Sequence, residues 1–110
     1  MLMRMITVAA AGLTVAAGAN GSVLTVRDSG KTFTLRRGHE LTMRLTERYG
    51  WTSPQVRGSS IRLTPVEYIR DPGFQEWRIT AAAAGTARVS VVGTCPSCAT
   101  RRFRVVIVVR

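Results

Sequence analysis

Two cysteines three positions apart form the spacing in this sequence that is most typical of chemistry, in the segment Cys95, Pro96, Ser97, Cys98. In redox sites with this spacing, a helix N-terminus beside the first cysteine lowers the pKa of its thiol. Here strand-like alternation flanks the pair on both sides, so the helix that would tune a thiolate is missing. Redox chemistry stays open as an alternative that lacks its usual structural support.

The same pair fits two other uses. As half of a zinc site it supplies two ligands, and because the chain otherwise offers only His39 and carboxylates, a closed four-ligand site would need a second chain. As a disulfide it closes a β-turn, since the first and fourth residues of a turn lie within about 7 Å at Cα and proline suits the second position. We predict a structural disulfide between Cys95 and Cys98, and no metal or cofactor.

Other groups that could catalyse a reaction are sparse. His39 is the only histidine, and its place beside Gly38 is typical of a solvated turn residue rather than a general base. Glu67, Asp71 and Glu76 could meet, but among sixteen basic residues they are expected to be ion-pair partners. We find no serine in a nucleophile elbow and no glycine-rich phosphate loop. We therefore predict that the protein is not an enzyme.

Composition describes one strongly basic domain. The 110 residues are 45% hydrophobic and 20% charged, which is typical of a folded chain with a single core. The net charge of +10 comes from sixteen basic residues, of which only Lys31 is a lysine. This excess fits an anionic partner, or a coding bias toward arginine, and the dispersion of the arginines along the sequence favours the coding bias.

Residues 1–19 are typical of an export signal. Arg4 gives a positive start, an apolar stretch follows, and small residues up to Ala19 form a cleavage site before Asn20. The alternative is an N-terminal strand or helix of the folded domain. The stretch is too short and too rich in alanine for a membrane span. We expect a secreted or extracytoplasmic protein, cleaved near Ala19, whose domain comprises 20–110 and has no transmembrane segment.

Period-two alternation predicts short strands throughout the domain. In the clearest run, Trp77, Ile79 and Ala81 share one face. The same alternation recurs at Leu24 and Val26, Phe33 and Leu35, 41–45, Ile61 and Leu63 with a continuation from Val66 to Ile69, 87–91 and 103–109. Turn residues separate the runs, and no helical period is present. These features predict an all-β, immunoglobulin-like antiparallel β-sandwich of about seven strands.

Two details predict where particular strands lie. Pro65 either breaks its run or marks an edge strand, because proline cannot donate to a central ladder. In the last run even the outward positions Val106 and Val108 are apolar, which predicts a central strand or one with its far face covered.

The segment FxxWxIxAxxAG, followed by an alternating strand, a loop and a final FxVxIxV strand, resembles the chagasin-like family. Proteins of that family are immunoglobulin-type sandwiches that inhibit papain-like cysteine proteases. The matching parts are 33–45, Trp51, 77–85, 89–92 and 103–109. The resemblance implies an immunoglobulin-like fold and a secreted, non-enzymatic binding module with a papain-like cysteine protease as its partner.

In that family the inhibitory surface consists of three loops at one end of the sandwich. Alternate connections of a meander fall at the same end, which here brings together 47–53, 70–73 and 93–101. The loops depart from the family's NPTTG-type, glycine-rich and RPW-type motifs, since they read TERYGWTS, DPG and GTCPSCATR. The predicted partner-binding residues are Arg48, Tyr49, Gly50, Trp51, Asp71, Pro72, Gly73, Cys95, Pro96, Ser97 and Cys98. For Trp51, packing at the end of the core is the alternative role.

A second function class follows from the charge. Arginines alternate with inward apolar residues along the predicted strands, so they point outward and could hold an anionic polymer of the cell envelope or extracellular space. The outward residues are Arg44, Arg78, Arg88, Arg102 and Arg104. No pattern for specific nucleic-acid recognition accompanies them.

Overall fold

Runs of alternating apolar and polar residues form strands through most of the chain. The structure, a computed structural model, describes residues 15–17 and 20–110. The strands are β1 (Val15–Ala17), β2 (Ser22–Leu24), β3 (Thr32–Leu35), β4 (Glu40–Thr46), β5 (Gly50–Trp51), β6 (Gln55–Arg57), β7 (Ile61–Val66), β8 (Phe74–Ala81), β9 (Gly85–Thr94) and β10 (Arg101–Val109). A 3-10 helix, Val26–Asp28, follows β2. Within the described ranges no helix has the length and apolar character needed to cross a membrane.

The strands form two sheets packed face to face. Sheet A has the order β1-β3-β10-β9-β5, and β6 also pairs with β9. Sheet B has the order β2-β4-β8-β7. The predicted β-sandwich is therefore confirmed, and short segments such as β5 and β6 raise the number of strands above the expected seven.

The core lies between the sheets and takes every second residue of the long strands. Each large apolar side chain buried there contributes about 1.5–3 kcal/mol to stability. Its members include every inward residue predicted for β4, β8 and β10. The buried hydrophobic residues are Leu24, Phe33, Leu35, Leu41, Met43, Leu45, Ile61, Trp77, Ile79, Ala81, Ala87, Val89, Val91, Phe103, Val105, Ile107 and Val109.

Both sheets are mixed, whereas the sequence predicted antiparallel pairing throughout. β1 pairs with β3, β3 with β10 and β2 with β4 in parallel, and the other pairs are antiparallel. The chain crosses from sheet B to sheet A and back between β2 and β4, so two strands of one sheet can run in the same direction. Alternation decides which face a side chain occupies, but it carries no information on strand direction.

Two predicted strand segments are wrong at their ends. Val26 lies in the 3-10 helix, because Thr25 and Asp28 form a capping box in which the Asp28 carboxylate accepts from the Thr25 backbone N–H at 2.9 Å. The run from Val66 to Ile69 is not a strand beyond Val66, since β7 ends there and a loop follows. At Val26 local hydrogen bonding therefore replaces strand pairing.

The two predictions about strand position are confirmed. Pro65 lies in β7, which is the edge strand of sheet B. β10 lies between β3 and β9 in sheet A, and the outward residues Val106 and Val108 are half-buried.

The predicted export signal of residues 1–19 lies outside the described residues except for Val15–Ala17. The backbone of that segment forms β1, at the edge of sheet A beside β3. Removal of β1 by cleavage near Ala19 would leave the pairing of β3 with β10 in place.

Candidate functional site

Three connections meet at one end of the sandwich, and we call this end the rim. It comprises residues 47–54, 67–73 and 95–100. Thr46 pairs with Phe74 where β4 ends and β8 begins, and Gly50 pairs with Thr94 at the end of β9. The Glu47 backbone N–H also donates to a carbonyl of the second loop, at 3.1 Å. The structure thus places the three loops predicted for the partner-binding surface side by side.

Trp51 fixes the first loop against the end of the sheet. Its indole N–H donates to the Thr46 carbonyl at 2.8 Å, and its ring lies over Gly93 of β9. A Cβ atom at Gly93 would stand 2.6 Å from the ring, so only glycine admits the indole there. The ring is half-buried against the core and lies 5.3 Å from the ring of Tyr49. Trp51 therefore closes the end of the core, the alternative role considered from the sequence, and also supports the rim.

A tight turn shapes the second loop. The Asp71 carboxylate accepts a hydrogen bond from the Gly73 backbone N–H at 2.8 Å, and Gly73 has a φ of 85°, which favours glycine. Pro72 between them is exposed. A hydrogen bond with the Asp71 carboxylate, together with partial loss of solvent and repulsion between the two groups, raises the pKa of Glu47. The predicted site residues of this loop thus form one rigid, solvent-facing turn next to the first loop.

The same loop carries two residues that the sequence analysis did not assign to the site. The Tyr68 hydroxyl donates to the Glu76 carboxylate at 2.7 Å, and its ring meets the edge of Phe74 at 5.7 Å between centroids. With Tyr68 held in place, the next residue, Ile69, projects fully into solvent, with a relative exposure of 105%. The sequence signal for the exposure of Ile69 is an isolated isoleucine directly before a turn. Alternation instead predicts that this residue continues the strand from Val66.

Glu76 is an ion-pair partner, as the sequence analysis expected. The Arg44 guanidinium donates to it at 2.7 Å and also lies 4.9 Å from the centre of the Phe74 ring. Burial raises the pKa of Glu76, but hydrogen bonds from Tyr68 and Arg44 outweigh that cost and lower it. Glu76 and Asp71 therefore have different partners and do not form one acidic site.

The third loop is closed by the predicted disulfide. Cys95 and Cys98 are bonded to each other, with Cα atoms 5.5 Å apart, and the Cys98 N–H faces the Cys95 carbonyl at 3.5 Å. Pro96 and Ser97 are exposed at the tip of this turn. With both sulfur atoms in the bond, neither is available as a zinc ligand. The confirmed role of this motif is to hold the loop between β9 and β10.

Other polar groups do not assemble into a reactive cluster. His39 lies in the turn before β4, at the end of the sandwich opposite the rim. A groove of about 430 Å³ beside the second loop contains the carboxylates of Glu47, Glu67 and Asp71 along its wall. Among the described residues, however, no group of three or more His, Cys, Asp or Glu side chains is arranged to hold a metal ion.

The outward arginines separate into two sets. On sheet B, Arg44 pairs with Glu76, and Arg78 lies 3.5 Å from Glu40. On sheet A, the outward arginines Arg88, Arg102 and Arg104 have no carboxylate within ion-pair distance in the described part of the chain. The five arginines predicted to form one polymer-binding surface therefore lie on opposite sides of the molecule.

Comparison with known proteins defines the fold. The sequence matches no protein-family profile and no curated protein. Among solved structures, the cysteine protease inhibitor EhICP2 from Entamoeba histolytica is similar with a TM-score of 0.63 and 14% identity, over 90% of this chain and 98% of that one. Amebosin is similar with a TM-score of 0.59 and 21% identity, over 84% of this chain and 100% of that one.

A third similar structure is PbICP-C, which was solved in complex with falcipain-2. It has a TM-score of 0.52 and 14% identity, and the match covers 88% of this chain and 99% of that one. These likenesses confirm the predicted immunoglobulin-like sandwich and the resemblance to chagasin-like inhibitors at the level of the fold.

Proposed function

We propose that this protein is a binding module that inhibits papain-like cysteine proteases by inserting the rim into the active-site cleft. The observation that carries the proposal is the meeting of three short, locally fixed loops at one end of a fold shared with cysteine protease inhibitors. A cleft is blocked by a protruding surface whose shape is fixed before binding. The rim has this form, and no reactive group is required of it.

Ile69 supplies the strongest apolar contact in this proposal. Its side chain is fully exposed, whereas Tyr68 beside it, although 45% exposed, keeps its ring against Phe74. An exposed isoleucine at a loop tip has no role in folding stability and gains free energy when a partner buries it. We place Ile69 in an apolar pocket of the protease cleft.

Tyr49 and two exposed arginines are further candidate contacts on the rim. Tyr49 is half-buried against Trp51, and Arg48 and Arg70 are exposed on the first and second loops. Tyrosine, tryptophan and arginine are enriched among the residues that contribute most to protein interfaces. The rim therefore combines one apolar anchor with aromatic and cationic contacts beside it.

Preorganisation supports tight binding despite the shortness of the loops. The disulfide of Cys95 and Cys98 holds the third loop, the carboxylate of Asp71 holds the second, and the Trp51 indole holds the first. Loops that are already ordered lose little conformational entropy when they bind. Because the side chains differ from the family motifs, we expect this chain's own contacts to set its choice of protease.

A titration against a panel of papain-like proteases, including papain and falcipain-2, tests the proposal. The full chain is expected to inhibit at least one member at a ratio near one to one. Ile69→Asp should weaken that inhibition, while Val23→Asp, which changes an exposed apolar residue far from the rim in β2, should not. A correctly folded chain that inhibits no member of the panel would refute the proposal.

We also propose that the protein acts outside the cytoplasm after cleavage near Ala19. The composition of residues 1–19 supports export, and the pairing of β3 with β10 supports a stable domain without β1. Mass spectrometry of protein recovered from the producing cells measures the N-terminus. An extracytoplasmic chain beginning at Asn20 is expected, and a cytoplasmic chain that retains residues 1–19 would contradict the proposal.

A further inference from the structure

Four arginines that are far apart in sequence lie together on the outer face of sheet A, which we call the arginine face. Arg57 of β6 stands directly opposite Arg88 of β9. Arg88 in turn pairs with Val106, and Ser90 pairs with Arg104, so Arg88 and Arg104 are diagonal neighbours across β9 and β10. Such neighbours have Cβ atoms about 5 to 8 Å apart. Arg102 lies two residues before Arg104 on the same face of β10 and extends the row of arginines.

This line of arginines follows a continuous groove. One cavity of about 420 Å³ includes Lys31, Arg57 and Arg88 in its wall. A second cavity of about 370 Å³ includes Arg102. Both contain Gln55, Ser90 and Arg104, so the two cavities adjoin and form one elongated depression.

The arginine charge in this groove is not balanced by the described part of the protein, although Lys31 has Asp28 as its partner. Two like charges directly opposite each other on an antiparallel pair are destabilising, yet Arg57 and Arg88 hold that position. The six carboxylates of the sequence lie elsewhere or are occupied. Glu40 and Glu76 pair with sheet B arginines, Asp28 pairs with Lys31, and Glu47, Glu67 and Asp71 lie beside the second rim loop.

The fold therefore changes the interpretation of the arginine content. Dispersion along the sequence favoured a coding bias, but β6, β9 and β10 bring dispersed arginines into one row. Within the described residues the arginines of this row all lack a carboxylate partner, whereas on sheet B Arg44 and Arg78 have one and Arg62 does not. An external anion can supply the missing negative charge.

We propose that the arginine face binds an acidic polysaccharide, an extended polymer that carries carboxylate or sulfate groups. This inference goes beyond the proposed inhibition of proteases and uses a different surface. The guanidinium fork donates two parallel hydrogen bonds to a carboxylate or sulfate. Gln55 and Ser90 lie between the arginines and can hydrogen-bond the neutral hydroxyl groups of sugar rings.

Other anionic partners fit the face less well. Single-stranded nucleic acids stack their bases on aromatic side chains, and the aromatic residues of the described chain lie in the core, in the rim or on sheet B. A lipid surface would be expected to meet exposed apolar side chains as well as charge. Among the side chains described for residues 20–110, the large exposed ones are Val23, Tyr68 and Ile69, and none of these three lies on sheet A.

Affinity measurements with the full chain test this inference. The probes are heparin as the sulfated polymer and polygalacturonate as the carboxylated one, measured by calorimetry at several salt concentrations. Arg88→Gln with Arg104→Gln should weaken binding by about tenfold or more and reduce its salt dependence. The matched control is Arg62→Gln with Arg78→Gln, which removes the same charge from sheet B and should change affinity by less than about twofold.

Three outcomes would overturn the inference. Equal losses in the two double variants would mean that net charge alone drives binding. Tighter binding to oligo(dT) or to phosphatidylserine vesicles than to either polysaccharide would assign the face to a different class of partner. Absence of binding to both polysaccharides at low salt would show that the arginine face does not bind acidic polysaccharides. All four substituted arginines are exposed, and circular dichroism verifies that each variant is folded.

Discussion

The rim and the arginine face are built in different ways. The rim consists of irregular loops, each held by its own device: an indole hydrogen bond, an Asp71 turn and the disulfide. The arginine face lies on three strands of sheet A, with β9 and β10 inside the sheet and the short β6 at its edge, and its arginines have no carboxylate partner in the described part of the chain. A surface with fixed shape and mixed chemistry suits one protein partner, whereas a surface with uniform charge suits a repetitive polymer.

This difference predicts that the two functions are separable. The rim lies at one end of the sandwich and the arginine face lies on its side, and the groove of the arginine face reaches the rim only at Thr52 and Ser53 of the first loop. A variant of Arg88 or Arg104 should therefore leave the rim contact at Ile69 unchanged. Protease inhibition and polysaccharide binding should therefore respond to different substitutions.

The largest effect is expected from Gly93→Ala, which breaks the support of the rim. The added methyl group would overlap the Trp51 ring and expel the indole from its place over β9. Overpacking of this kind costs about 1–3 kcal/mol of folding free energy. Urea unfolding should show that loss, and protease inhibition should fall with it. Gly50→Ala is the matched control, because the nearest atom to its new methyl group would stand at an ordinary 3.7 Å.

Ile69→Asp should remove about 2 kcal/mol of protease binding, or roughly thirtyfold in the inhibition constant. The side chain makes no buried contact in the free protein, so the midpoint of urea unfolding should stay unchanged. Polysaccharide affinity should fall slightly at most, since the new charge is remote from sheet A. If the inhibition constant does not change in this variant, Ile69 does not contact the protease.

Replacing both cysteines by serine should lower the free energy of unfolding by about 2 kcal/mol, because the closed loop is very short. Inhibition should weaken as the third loop gains freedom, and polysaccharide affinity should not change. Reduction of the wild-type protein by dithiothreitol should reproduce both results. A double variant that inhibits as well as the wild type would show that the third loop does not contact the protease.

Two carboxylates should give opposite dependences of stability on pH. The raised pKa of Glu47 contributes stability at low pH that is lost as the pH rises above about 4.3, the ordinary value for glutamate. The lowered pKa of Glu76 contributes stability above that value, and it is lost as the pH falls through the lowered pKa. Thermal unfolding across this range should therefore shift in opposite directions for Glu47→Gln and Glu76→Gln. Parallel shifts would contradict the contacts described for these side chains.

The smallest effect is expected from Arg88→Gln alone. Relief of its repulsion with Arg57 should raise stability by a few tenths of a kcal/mol, within the range known for exposed like-charge pairs. Arg78→Gln should instead lower stability slightly, because it removes the contact with Glu40. A loss of stability in the first variant would show that Arg88 is balanced within the protein.

Alternation in the sequence was sufficient to predict the layers of this fold. Residues such as Met43, Ile79 and Phe103 face the core as predicted, because a period of two places every second side chain on one face. The position of the three rim loops followed from the order of the strands, and the disulfide from the spacing of Cys95 and Cys98 in a turn. Strand direction did not follow, since β2 and β4 pair in parallel only because of where the chain crosses between sheets.

The features that could not be predicted depend on contacts between distant segments. Ile69 is exposed because the Tyr68 hydroxyl donates a hydrogen bond to Glu76 of β8, which fixes the residue before Ile69. The row of arginines results from the pairing of β6 with β9, and β6 is too short to be recognised from alternation. Both features arise from register, which a single sequence does not reveal.

The most direct test is a side-by-side titration of a papain-like protease with three proteins: the wild type, Ile69→Asp, and the Arg88→Gln, Arg104→Gln double variant. We predict inhibition near one to one by the wild type and by the double arginine variant, and a roughly thirtyfold weaker effect for Ile69→Asp. If the wild type fails to inhibit, or if Ile69→Asp inhibits equally well, the rim is not the protease-binding surface.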